Sequence, residues 1–126
     1  MERELIQYHI VNMDLIKEHQ VPASKIGVQI AHGATIIAVE FGHTPVFIEW
    51  YGEKGNKQKK IVLRGKEKEL KKLIELGAFP VIDNGHNYVP PGSMTEVVFP
   101  PMLREEAPKL IKRLQVYTGI ENLSHT

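Results

Sequence analysis

Cysteine is missing from this 126-residue chain, so neither a disulfide framework nor a thiolate metal site holds it together. Long apolar runs are missing too. The hydrophobic stretches break well before the roughly 18 residues that a membrane-spanning helix needs. The opening Met-Glu-Arg-Glu lacks the pattern of a signal peptide, and the expectation is a cytoplasmic protein with no membrane partner. Glycine-rich dinucleotide and Walker loops are absent, and Ser93 is not set in a Gly-x-Ser-x-Gly elbow. The histidines at 9, 19, 32, 43, 86 and 125 show no metal-ligand spacing, so no metal and no cofactor are expected. A net excess of charge is lacking as well: 16 Lys and Arg face 15 Asp and Glu. The hydrophobic fraction of 42% is enough for one core. At this length folding buries roughly two-thirds of the unfolded surface, which argues for a single domain over residues 1–126.

The charge that is present is unevenly placed. From Lys54 to Lys72 nine basic residues, among them Lys57, Lys59, Lys60 and Arg64, stand against Glu67 and Glu69. That local +7 leaves the rest of the chain at −6. Such a run is either a solvated face or a surface that attracts a polyanion by counterion release.

Periodicity predicts a strand over residues 4–12, then a polar connection from 14 to 23. Ser24 can cap a helix running to about Phe41. On that helix Ile26, Ile30, Ala34, Ile37 and Phe41 share one face, and Gly27, Ala31, Ala34 and Ala38 form an adjacent strip of small side chains, suited to close packing on a sheet and permitting a homodimer. Thr44-Pro45 starts a short helix through Trp50, although Val46 to Tyr51 reads nearly as well as a strand. Further on, strands are expected over 59–64, 78–82 and 94–99, and a helix over 66–76 with Glu67 placed to pair with Lys71 and Gly77 as its stop. Residues 103–113 suit a last helix and Leu114 to Tyr117 an extended segment, with neither excluded. Strands separated by helices predict an α/β fold: a four-stranded, mostly parallel or mixed sheet with helices on both faces.

Two constellations carry chemistry. Lys25, Gln29 and His32 recur at i, i+4 and i+7 on one helix, with Lys25 beside the positive end of the helix dipole, a natural place for a phosphate or an oxyanion. The second is the stretch from Asp83 to Thr95, in which an acidic residue at a strand's C-terminal end is followed by glycines, Asn87, Ser93 and Thr95. Open α/β sheets place ligands at such ends. A triad of Ser93, His86 and Asp83 can be drawn, but three residues so close on one irregular loop rarely reach triad geometry.

In combination and order these blocks resemble the signatures of the type II peptidyl-tRNA hydrolases, the archaeal and eukaryotic kind. That family's Gly-Lys-x-x-x-Gln-x-x-His-Ala stands here as Ser24-Lys25-Ile26-Gly27-Val28-Gln29-Ile30-Ala31-His32-Gly33. Its Asp-x-Gly-x-Thr and Pro-Gly-Ser/Thr-x-Thr stand as Asp83-Asn84-Gly85-His86-Asn87 and Pro91-Gly92-Ser93-Met94-Thr95. The resemblance covers about residues 4–101, with 102–126 as a C-terminal extension. Pro22-Ala23-Ser24 replaces the family's Gly-Lys-Gly approach, Asn87 takes the place of a threonine, and Pro100-Pro101 that of Gly-Pro. The resemblance implies a small α/β fold on a mixed four-stranded sheet and metal-independent hydrolysis of the ester in peptidyl-tRNA. Lys25 and Asp83 would be catalytic in a shared surface cleft, and Gln29, His32, Asn87, Ser93 and Thr95 would hold substrate. Lys57, Lys59, Lys60 and Arg64 would hold the tRNA backbone. The same fold serving as a non-catalytic module for a small ligand, an RNA end or a protein is the alternative.

Overall fold

A computed structural model describes residues 3–52, 56–85 and 88–123. In chain order the elements are β1 (Leu5–Asn12), α1 (Met13–His19), α2 (Ala23–Phe41), α3 (Pro45–Tyr51), β2 (Lys60–Gly65), α4 (Glu67–Glu75), β3 (Phe79–Asp83), β4 (Ser93–Val98), β5 (Met102–Leu103), α5 (Lys109–Arg113) and β6 (Gln115–Val116), with single 3-10 turns at Arg104–Glu106 and Ile120–Leu123. No helix among the described residues is long and apolar enough to cross a membrane.

The sheet has six strands rather than four, in the order β3-β4-β1-β2-β6 with β5 against the start of β1. The two additions are two-residue strands from the C-terminal region, too short to show as a hydrophobic period. The sheet is mixed: β1 and β2 run parallel, and every other pair is antiparallel. β1 is buried along its whole length because both faces are covered. Ile6, Tyr8 and Ile10 meet Leu70 and Leu73 of α4 and Ile111 of α5. On the other face Val11 meets Ile16 of α1 and Ile26 of α2.

Local chemistry explains most boundaries. Thr44 Oγ1 accepts the Phe47 N–H at 3.3 Å, Pro45 fills the first helical position, and residues 45–51 are helix rather than strand. Glu67 pairs with Lys71 at 3.6 Å across one turn of α4. The expected polar connection at 14–23 is instead half helix. Asn12 Oδ1 accepts the Leu15 N–H at 3.3 Å and starts α1, which then buries Met13 and Ile16. Ser24 does not cap α2; the helix begins at Ala23, behind Pro22, and no side chain caps it.

The small-residue strip of α2 also faces elsewhere than expected. Gly27, Ala31 and Ala38 are exposed, whereas Ile26, Gln29, Gly33 and Ile37 are buried. Close approach to the sheet comes from Gly33 alone, where a Cβ would run into the carboxylate of Glu96 and against Val81.

Beneath that crossing lies a polar cluster within the core. Gln7, His9 and Glu96 are each 0% exposed. His9 Nε2 is 2.7 Å from Gln7 Oε1, an acceptor only, so Nε2 carries the ring proton. Nδ1 is then a lone pair, and the Glu96 carboxyl, with its oxygens at 3.0 and 3.1 Å, donates to it as a neutral acid. Burial agrees with this assignment. It pushes Glu96 well above its ordinary value of 4.5. Burial, with Lys60's charge second, brings His9 from 6.5 down to about 3.

A stability profile follows from these directions. From about pH 3 to 4.5 the unfolded chain binds one proton more than the folded one, on the histidine, and stability rises with pH. Above 4.5 the two groups act in opposite directions: the unfolded chain still holds the histidine proton up to about 6.5, while the folded protein keeps on Glu96 a proton that the unfolded chain has lost, so the slopes offset each other. Above 6.5 only the Glu96 difference remains, and stability falls by up to about 1.4 kcal/mol per pH unit until the folded carboxyl ionises. Urea midpoints from pH 3 to 9, compared with those of a His9→Leu, Glu96→Leu double variant, measure the profile as a difference.

Candidate active site

Three elements converge at one end of the sheet. β1 ends at Asn12, β3 ends at Asp83, and α2 begins there, bringing Lys25 in its first turn and Gln29 one turn on. Thr95 reaches the same place through an irregularity in β4. Val81 pairs with Glu96 and Ile82 with Met94, so Thr95 is an extra residue in the ladder. The bulge turns Thr95 to the same face as Glu96, towards α2. Its hydroxyl lies 2.9 Å from Gln29 Oε1 and 3.2 Å from the Val81 carbonyl.

The four side chains form one relay. Gln29 Nε2 donates to Asp83 Oδ2 at 2.9 Å, with its carbonyl oriented by Thr95. Lys25 Nζ stands 3.6 Å from the same Asp83 oxygen. The other oxygen, Oδ1, accepts the Gly85 N–H. Gly85 takes φ +78°, and a Cβ there would strike Pro91, so this turn requires glycine. Gly92 N donates to the Asp83 carbonyl at 2.8 Å and closes the loop over the site.

A cavity of about 10 Å³, lined by Asn12, Lys25, Gln29, Asp83, Tyr88 and Thr95 among others, lies in this corner. Its remaining wall is apolar, from Leu15 and Ile16 of α1 and from Val21, Ile26 and Val89. The Lys25 side chain is 21% exposed and that of Asp83 only 6%, so the carboxylate lies beneath the amine rather than on an open surface. No side chain caps the first turn of α2 and no acidic residue stands in it, which leaves its positive end uncompensated.

Of the residues singled out from sequence, Lys25, Gln29, Asp83 and Thr95 are together. His32 is exposed further along α2 and does not line the cavity. Ser93 pairs across the sheet with Asp83, but its Oγ donates to the Pro90 carbonyl at 2.7 Å. Asn87 and His86 lie outside the described residues. Asn12 was missed, although it orders this corner: Nδ2 donates to the Met94 carbonyl at 2.8 Å while Oδ1 starts α1. The signal was Asn12 followed by an acidic residue in the next turn, a helix-start pattern read as loop.

The basic run is divided by β2. Gln7 pairs with Lys60 and Asn12 with Gly65, so Lys57, Lys59 and Lys60 lie about 17 Å from the Lys25 end, at roughly 3.3 Å per residue. Lys59 pairs with Glu4 at 3.5 Å, and the Lys60 amine sits 5.0 Å from the Trp50 ring. Arg64 is at the near end, bonded to Gln115 and paired with Glu121 at 3.3 Å. Lys54 lies outside the described residues. Behind α1 an open groove of about 350 Å³ is lined by Lys17, Lys66 and Arg113 with Arg64, Asp14 and Glu69. Both carboxylates there accept backbone N–H groups, from Glu67 and Lys66, at 2.9 Å. Lys17, Lys66 and Arg113 form no ion pair among the described residues. No group of three or more His, Asp and Glu among the described residues is placed to share a metal ion.

A mixed α/β sheet with a lysine and a carboxylate joined at a strand end is the setting in which the comparison with known families falls. The sequence matches the family model for peptidyl-tRNA hydrolase PTH2 over residues 5–117, nearly the whole chain, and the protein belongs to that family. The match runs past residue 101 and takes in α5 and β6. A search among curated proteins finds no match.

Because Asp83 is buried with two donors and a cation on it, Asp83→Asn is not the neutral change that a surface carboxylate would allow. It should cost about 1.5–3 kcal/mol, the range for hydrogen bonds to a charged group, measured by urea unfolding at pH 7. A loss below about 0.5 kcal/mol, typical of a surface change, would mean that these hydrogen bonds contribute little.

Proposed function

We propose that this protein hydrolyses the ester joining a peptide's carboxyl carbon to the terminal ribose of tRNA, with Lys25 and Asp83 as the catalytic pair. The observation that carries the reading is the 3.6 Å approach of the Lys25 amine to an Asp83 carboxylate already oriented by Gln29 and Gly85. Each carboxylate oxygen uses one lone pair on these donors and retains another for a water. The adjoining cavity of about 10 Å³ is of the size that one water occupies.

In this mechanism Asp83 takes a proton from the water as its oxygen attacks the ester carbonyl. The tetrahedral oxyanion forms against the Lys25 ammonium and the positive end of α2. Collapse breaks the bond to the ribose oxygen, which leaves with a proton. Gln29 and Thr95 keep Asp83 in place, while Ser93 and His32, neither of which lines the cavity, act on substrate together with Asn87. Parent protein should turn over N-blocked aminoacyl-tRNA and leave the unblocked form largely intact. Lys25→Ala and Asp83→Asn should each lower kcat by roughly 10²–10³. Absence of turnover in the parent, with tRNA still bound, would favour the non-catalytic module.

The tRNA backbone is held by basic side chains, and two sets compete for that role. Lys17, Lys66 and Arg113 line the groove on the far side of α1, whose Leu15 and Ile16 line the cavity. Lys57, Lys59 and Lys60 are at the other end of β2. Proximity favours the groove set for phosphates next to the ester, with Arg64 partly neutralised by Glu121. Replacing Lys17, Lys66 and Arg113 by alanine should reduce the log-log salt slope of tRNA binding by roughly 0.7–0.9 for each phosphate that is no longer neutralised. The same replacement of Lys57, Lys59 and Lys60 should reduce it less, and the reverse ranking would move the backbone to the Lys60 end.

A further inference from the structure

The Gln7, His9 and Glu96 cluster has no part in the chemistry above, yet it is fully enclosed in the core. All three residues are 0% exposed, and the Gln7 Nε2 is buried with no hydrogen-bond partner among the described residues. Buried polar pairs of this kind are commonly replaced by apolar residues with no loss of stability. Stability is therefore a poor reason for their presence, and the geometry supplies another.

Glu96 sits at the meeting of two constraints. From above, the Gly33 backbone of α2 rests on its carboxyl, one turn beyond Gln29. From below, the Nδ1 of His9 faces the carboxyl, with its two oxygens at 3.0 and 3.1 Å, and accepts its one O–H. Glu96 is also the neighbour of Thr95 in the bulge opposite Val81, so an anchored Glu96 fixes the way Thr95 points. Thr95 orients Gln29, and Gln29 donates to Asp83. Helix height and bulge geometry thus both pass through one side chain.

We propose that Glu96, anchored by His9, is a positioning residue that sets the separation of α2 from the sheet and thereby the placing of Gln29, Lys25 and Asp83. The proposal rests on the reading of Lys25 and Asp83 as the hydrolytic pair. A neutral glutamic acid in this role is replaceable by glutamine, whose amide N–H donates to His9 in the same place. An apolar side chain fills the volume without the tether.

The test compares Glu96→Gln with the double variant His9→Leu, Glu96→Leu by kcat and KM on N-blocked aminoacyl-tRNA, by thermal midpoint, and by NMR exchange of the Gln29 side-chain amide protons. Glu96→Gln should stay within about threefold of the parent in kcat. The double variant should keep or raise its thermal midpoint while kcat falls on the order of ten- to a hundredfold, the scale of a misplacement of about 1 Å. KM should hold, and Gln29 amide exchange should be faster. A double variant with parental kcat and parental Gln29 exchange would overturn the proposal, as would a Glu96→Gln variant that loses as much kcat as the double variant. If the double variant does not fold, Gly33→Ala, which forces the helix off Glu96, takes its place with the same expected kcat loss. The Gln29 exchange needs no substrate, so a parent without turnover counts against the hydrolase reading while the positioning effect is still measured.

Discussion

Where α2 crosses the sheet, residue 33 has no side chain, and the space a Cβ would need is taken by the carboxyl of Glu96. That close approach fixes the height of a 19-residue helix whose first turn carries Lys25. The amine and the amide of Gln29 come from α2 and the carboxylate of Asp83 from β3, and the helix-borne pair is placed relative to the carboxylate through this crossing. The bulge in β4 serves the same end from below, since without the extra residue Thr95 would point to the opposite face. Backbone geometry at two points therefore determines the relay that holds Asp83.

The site is also defined by how it treats charge. Asp83 meets Lys25 and has donors on both oxygens, whereas Glu96, sealed in the core against a neutral imidazole, is held as an acid by burial. α1 divides the surroundings further, with an apolar side towards the cavity and Asp14 and Lys17 towards the basic groove. A short helix of seven residues is the partition between the Lys25 and Asp83 cavity and the basic groove.

Much of this was legible in the chain because its signals are local. Thr44-Pro45 starting α3, Glu67 and Lys71 along α4, and the Lys25 to Gln29 spacing depend only on neighbours a turn away. α1 was not legible by polarity, since its short run has only Met13 and Ile16 as buried positions. The C-terminal strands were invisible for the same reason of length: two residues show no period. The continuous basic run is divided in space, because a strand passes through it and sends Lys60 and Arg64 to opposite ends of β2.

Read alone, the sequence specified most of the elements, the family and the pairing of a helix-borne lysine with a strand-end carboxylate, because these are written in residue types at short, fixed spacings. It did not determine which side of α2 meets the sheet. The alanine strip and the Ile26 to Ile37 stripe were both apolar enough to do so, and only the Glu96 carboxyl beneath Gly33 decides between them. Nor did it show that Gln7, His9 and Glu96 would be sealed in the core. Their hydrogen bonds join positions up to 87 residues apart, and such partners are chosen only when tertiary packing removes the competing water.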